Sequence, residues 1–261
     1  MVTPLFGIFA ISLSLYFARN ENRALAAPNP YTVVLDAGHG GADHGATGRL
    51  GRKRVSEKDV ALAIALRTAK LLEDPAYEKA LGRKIRVILT RRRDRSLSLD
   101  ERSDRARKAH ADLFVSIHAN SETTHTARGL ETYFLNNTDD KSALKLQQIE
   151  NKSSKRARPK TDDLLLRSVA ADAVVEASRS AAEILQSSVA DQLRREDVLF
   201  TDRGVKQALL YVLLDSQVPA VLVECFYLSN AKDLAIVAQP ENRARIAEGL
   251  AKGVLRFLAT R

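Results

Sequence analysis

Four residues carry side chains that could share one reaction: His39, Glu57, His118 and Glu224. His39 sits in Gly38-His39-Gly40-Gly41, where glycines let the backbone turn tightly and an imidazole can project. His118 follows the apolar run Phe114-Val115-Ser116-Ile117, so burial is expected. Glu57 falls in the first turn of an expected helix, where the dipole favours a carboxylate by ~0.3–1 kcal/mol. Glu224 follows Val221-Leu222-Val223, and a carboxylate at the end of a buried strand needs a charge, a metal or hydrogen bonds to offset its burial.

Each of these alone has a plain structural reading: a surface histidine, a dipole-paired acid, a hydrogen-bonded core histidine, a structural ion pair. Together they fit metal-assisted hydrolysis. Two imidazoles and one carboxylate leave a fourth zinc position for water. Zinc lowers the pKa of that water toward ~7 and polarises a substrate carbonyl. A free carboxylate nearby then moves the proton, and burial raises its pKa toward the useful range.

The elements that must position these groups alternate in type. Thr32–Leu35, Ile85–Thr90, Leu113–Ile117, Leu130–Leu135 and Ala220–Val223 read as strands, and the residues following Ser56, Leu99–Ala109, Leu164–Leu193 and Asn242–Leu258 as helices. Ser56 with Asp59 looks like an N-cap arrangement. Alternation argues an α/β fold with helices flanking a mostly parallel sheet. Ligands in such sheets bind outside the carboxyl ends of the strands. His39, His118 and Glu224 are expected at the ends of three of them.

Composition narrows the rest. With 45% hydrophobic residues in 261, the chain can build one sizeable core. The net charge of +9 suits an anionic partner such as a wall polymer, a membrane surface or nucleic acid. Only 5% of residues are aromatic, which leaves few stacking groups and disfavours nucleic acid. Cys225 is the only cysteine, so any metal must use histidine and carboxylate. Residues 1–26 read as a secretory signal, with an apolar stretch and an Ala24-x-Ala26 site, and cleavage is expected after Ala26. The stretch is shorter than the ~20 residues of a membrane span, so an exported protein of the periplasm or cell envelope is expected.

Seven segments, in order, resemble the zinc-dependent N-acetylmuramoyl-L-alanine amidases: Val33–Gly41, Ser56-Glu57, Thr90-Arg91-x-x-Asp94, Phe114–Asn120, Gly129–Phe134, Asp202–Lys206 and Val221–Asn230. The resemblance implies a single domain, residues 27–261, around a sheet of about six strands. It implies one zinc per chain on His39, Glu57 and His118, and Glu224 as the catalytic carboxylate. It implies a peptidoglycan substrate, cut between N-acetylmuramic acid and L-alanine during wall remodelling or daughter-cell separation. A zinc peptidase acting within the stem peptide and a noncatalytic wall binder are the other readings. The family usually has glycine where Cys225 stands. His44 is the main competitor for the metal, while His110 and His125 read as surface residues.

Stem peptides carry carboxylates, so Arg203 is a candidate substrate contact, with an ion pair to Asp202 as its structural alternative. Asn120 is a second candidate. The polar, basic segment 136–163 is longer than an ordinary structureless loop of ~12–15 residues. Related amidases switched on by partners carry an insertion there that covers the zinc cleft. A short helix over Ala143–Glu150 could bring Glu150 to the open zinc position, and an activator protein would act on this segment.

Overall fold

The computed structural model describes residues 28–153, 169–214 and 216–261. The expected leader and part of the basic insertion lie outside these residues. Three strands are buried along their whole length: β1 (Tyr31–Ala37), β5 (Leu113–Asn120) and β8 (Ala220–Tyr227). Their near-continuous apolar runs are what a sheet covered on both faces requires. With β4 (Ile85–Leu89), β6 (Leu130–Leu135) and β7 (Asp202–Ala208) they form one sheet in the order β4-β1-β5-β8-β6-β7. Every neighbouring pair is parallel except β8 with β6. A separate antiparallel hairpin pairs β2 (Thr47–Leu50) with β3 (Lys53–Ser56).

Helices cover both faces. One face packs α1 (Glu57–Leu72), α5 (Val169–Arg195) and α8 (Pro240–Leu258) onto the sheet through residues such as Ile64, Leu185, Val189, Leu250 and Val254. The other carries α3 (Leu99–Lys108), α4 (Lys141–Glu150) and α6 (Tyr211–Leu214) over Val34, Phe114 and Leu222. Two further short helices, α2 (Pro75–Leu81) and α7 (Ala231–Val237), and a 3-10 turn at Asn151–Ser153 complete the described elements.

The α/β class, the six strands and the mostly parallel order match the sequence reading. Two strands run further than their apolar segments suggest. β5 continues two residues past His118 and β8 three past Glu224, so both side chains project from within the sheet. Backbone pairing persists there because His118 sits opposite Glu224 in register, with an irregularity just beyond. Ser56 does occupy the N-cap of α1, but its hydroxyl donates to Asp59 at 2.5 Å instead of accepting from the helix.

Candidate metal centre and catalytic site

His39 leaves β1 on a loop whose carbonyls are held from beneath. Arg91, 2% exposed, donates from Nε to Ala37 O at 2.9 Å and from Nη2 to Gly38 O at 2.8 Å. Arg102 donates to Ala37 O and to His39 O, both at 2.7 Å, and pairs with Asp36 at 2.8 Å. Burial opposes a charge on Asp36, but Arg102, Thr90 and Ser116 outweigh it and keep its carboxyl below the ordinary range. This clamp sustains the left-handed backbone of His39, at φ 55°. Its ring Nδ1 meets Asp43 Oδ2 at 2.8 Å, which fixes the tautomer and leaves Nε2 free to face the cluster.

Glu57 opens α1 and is fully enclosed. Its Oε2 accepts from Ala46 N at 2.7 Å and its Oε1 from Ala119 N at 3.0 Å. Oε1 also lies 3.1 Å from His39 Nε2 and 2.9 Å from His118 Nδ1. Two glycines make the approach possible. A Cβ on Gly38 would stand 2.5 Å from the His118 ring, and one on Gly45 2.4 Å from Glu57 Oε2.

A fourth donor comes from α4. Glu150 Oε2 lies 3.2 Å from His118 Nδ1 and 3.7 Å from His39 Nε2. The donor atoms of His39, Glu57, His118 and Glu150 fall within 4.8 Å of one another. Ligand atoms of a tetrahedral zinc at ~2.1 Å stand about 3.4 Å apart, so these contacts fit one small divalent cation. Among the described residues, buried His39 Nε2 makes no well-formed hydrogen bond despite lying 3.1 Å from Glu57 Oε1, as expected of an atom kept for a metal. The cluster can hold a metal ion.

The electrostatics agree. Burial disfavours a charged His39, but Glu57, Asp43 and Glu150 more than offset it and push its pKa up to about 11. The hydrogen bond from His39 in turn holds Asp43 down at about 2. Burial also opposes ionisation of Glu57, yet His39 and His118 keep it well below its usual value. The cluster therefore draws positive charge strongly.

Glu224 is not one of the four donors. It is fully buried, and among the described residues neither carboxyl oxygen has a hydrogen-bond partner. Burial, then the charges of Glu57, Glu150 and Glu131, raise its pKa well above the ordinary value. A cleft of about 660 Å³ opens beside the cluster, lined by Glu57, Asn120, Glu122, His125, Lys145 and Glu150 among others.

The remaining candidates are placed as follows. His44 and His110 are exposed and outside the metal cluster. His125 lines the cleft, with Nδ1 at 2.9 Å from Ser229 O. Cys225 belongs to the apolar core on the opposite side of β8 from Glu224, so its sulfur is not among the metal donors. Arg203 pairs with Glu131 at 2.8 Å and not with Asp202, which pairs with Arg194. Asn120 is buried, its Nδ2 donating to Glu131 at 3.0 Å and its Oδ1 accepting from Ser121 N at 2.7 Å. Sequence reasoning missed Asp43 and Glu131. The i,i+4 spacing from His39 was a signal for the first, and a lone acid in an apolar strand for the second.

The family model of N-acetylmuramoyl-L-alanine amidase matches residues 33–256. The chain is 34% identical over 229 residues to the amidase AmiA of Escherichia coli, covering 86% of this chain and 75% of AmiA. It is 31% identical to YqiI of Bacillus subtilis, covering 85% of this chain and 82% of that one. Among solved structures, an N-acetylmuramoyl-L-alanine amidase from Clostridium difficile superposes with a TM-score of 0.65 at 27% identity, covering 89% of this chain and 99% of the other. The catalytic domain of CwlV from Paenibacillus polymyxa gives 0.62 at 30% identity, covering 88% and 99%. With its fold, its site and nearly its whole described length accounted for, the chain belongs to the N-acetylmuramoyl-L-alanine amidase family.

Proposed function

We propose that this chain is a zinc-dependent hydrolase that cuts the amide between N-acetylmuramic acid and L-alanine in peptidoglycan. The observation that carries the reading is the convergence of His39, Glu57 and His118 beside an unpartnered, buried Glu224. A zinc ion on the first three would polarise the scissile carbonyl and acidify the attacking water. Glu224 would then take the proton of the attacking water on a carboxylate oxygen and deliver it to the leaving nitrogen. Asp43 holds the proton on Nδ1 of His39 and so keeps Nε2 a donor to the metal. Arg203 and Asn120 serve the substrate side, Asn120 through its bond to Glu131.

The test is the product. Purified protein is incubated with peptidoglycan and the released fragments are read by mass spectrometry. Intact stem peptides with a free L-alanine amine are expected. Fragments cut inside the stem peptide would replace this reading with that of a peptidase.

A second proposal concerns α4. We propose that Glu150 blocks the position needed by water and substrate, and that a partner releases it. The support is the placement of its carboxylate within the donor set. Among the structural relatives, the CwlD amidase of Clostridioides difficile is seen in complex with the GerS lipoprotein. Among the described residues no helix is long and apolar enough to cross a membrane. We propose export to the periplasm or cell envelope, where the wall is reached, with residues 1–26 removed.

A further inference from the structure

Glu131 is the second residue of β6, with none of its surface exposed. It is directly opposite Glu224 in the β6–β8 register. Directly opposed residues share a face of the sheet, so two carboxyl groups stand side by side. Four donors converge on Glu131. The Asn120 amide, at 3.0 Å, and the Tyr227 hydroxyl reach Oε1. Arg203 Nε and Lys206 Nζ, each at 2.8 Å, reach Oε2.

One cation would neutralise this carboxylate, and two are present. Arg203 uses only its Nε on Glu131. Its side chain is 25% exposed, and among the described residues its two terminal nitrogens make no hydrogen bond. The guanidinium also lies over the Tyr227 ring, 5.5 Å from the centroid. That leaves a planar two-nitrogen edge, the part of arginine that matches a carboxylate. Lys206 has a second contact, Nζ to Ser142 Oγ at 2.9 Å. Ser142 is on α4, the helix that brings Glu150 to the metal donors.

Two rulers give the distance from those donors. From Ser142 to Glu150, α4 rises roughly 12 Å at ~1.5 Å per residue. From β5 across β8 to β6 is two strand spacings, about 10 Å. Either length corresponds to about three residues of extended peptide. We propose that Arg203 and Lys206, positioned by Glu131, form an anion subsite. It takes a carboxylate of the substrate's peptide about three residues beyond the scissile amide. This rests on the amidase reading above and adds to it the recognition of a charged stem peptide.

The test compares two soluble N-acetylmuramyl tripeptides that differ only in a free carboxylate or a carboxamide on the third residue. Both meet the same α4, so any occlusion cancels in their ratio. The zinc-loaded chain should favour the carboxylate in kcat/KM by roughly ten- to hundredfold, carried mainly by KM, the usual worth of hydrogen bonds between charged groups. Arg203→Gln and Lys206→Met should each cut that preference about tenfold, while Arg203→Lys keeps part of it. Glu131→Gln should narrow it as well, by releasing both cations. A wild-type ratio near one overturns the subsite. So do variants that slow both peptides equally, because a purely structural role leaves the ratio unchanged. If neither the folded, zinc-loaded chain nor its Glu150→Ala variant, in which the proposed block is removed, cleaves either peptide, it is the amidase reading that fails. The same ratio measured as calorimetric affinity then decides the subsite separately.

Discussion

The donors of the metal cluster come from two regions that are built differently. His39 stands on the loop that follows β1, Glu57 on α1 and His118 on β5, all packed against the main core, and backbone amides, buried guanidinium groups and close-packed glycines hold them in place. Glu150 stands on α4, which buries only Ala143 and Leu146 and leaves Leu144 at 38% and Ile149 at 46% exposure. Among the described residues its polar attachments outside the metal cluster are few: Gln147 to Leu209, Asn151 to Leu209 and Tyr211, Lys145 to Glu122 and Thr123, Lys206 to Ser142. A segment with little apolar burial opens at low free-energy cost compared with the core. Three donors thus belong to the fold and one stands on a lightly held helix, the arrangement that the proposed removable cover requires.

The largest expected effects fall on the core side. His118→Ala should lose the metal and with it all measurable turnover, by zinc analysis and peptidoglycan assay. Full zinc retention would break the assignment. Glu224→Gln should fold and keep its metal, yet lose ~10²–10⁴ in kcat, the usual worth of general acid–base catalysis. Turnover within a few-fold of wild type would mean that another group moves the proton.

Asp36→Asn probes the clamp beneath His39 and should cost ~3–5 kcal/mol at pH 7, as when one partner of a buried ion pair is removed. The pKa of Asp36 is lowered in the folded chain. Its contribution is therefore present above the unfolded value of ~3.9 and lost as pH falls through the lower folded value. Denaturant midpoints of variant and wild type should converge in strong acid and stay apart at pH 5–7. The smallest effect belongs to α4. Leu146→Ala removes one buried side chain from a lightly held helix and should raise basal turnover several-fold with little change in the global midpoint. A drop in turnover would make α4 a part of the working site.

The same two regions differ in how far the sequence revealed them. β1, β5 and β8 were visible because strands covered on both faces must be apolar throughout, and an acid or imidazole ending such a run stands out. β7 and the β2–β3 hairpin were not, because Asp202–Ala208 is largely half-exposed and Lys53–Ser56 is polar at its start, so neither carries an apolar run. The parallel order could be expected, but the reversed β6 could not, since direction leaves no trace in composition. Of the site, His39, Glu57, His118 and Glu224 were legible from residue type and order. The role of Glu131 depends on its cross-strand partner, and that of Arg203 on a carboxylate 72 positions away.

The most direct measurement is zinc content and affinity of Glu150→Ala beside Glu57→Ala, with turnover recorded for each. Glu150→Ala is expected to keep one equivalent of zinc and to cleave peptidoglycan faster than wild type, while Glu57→Ala loses both metal and activity. If Glu150→Ala lost its zinc as Glu57→Ala does, Glu150 would be a structural ligand, and the division between three fixed donors and one removable donor would be contradicted.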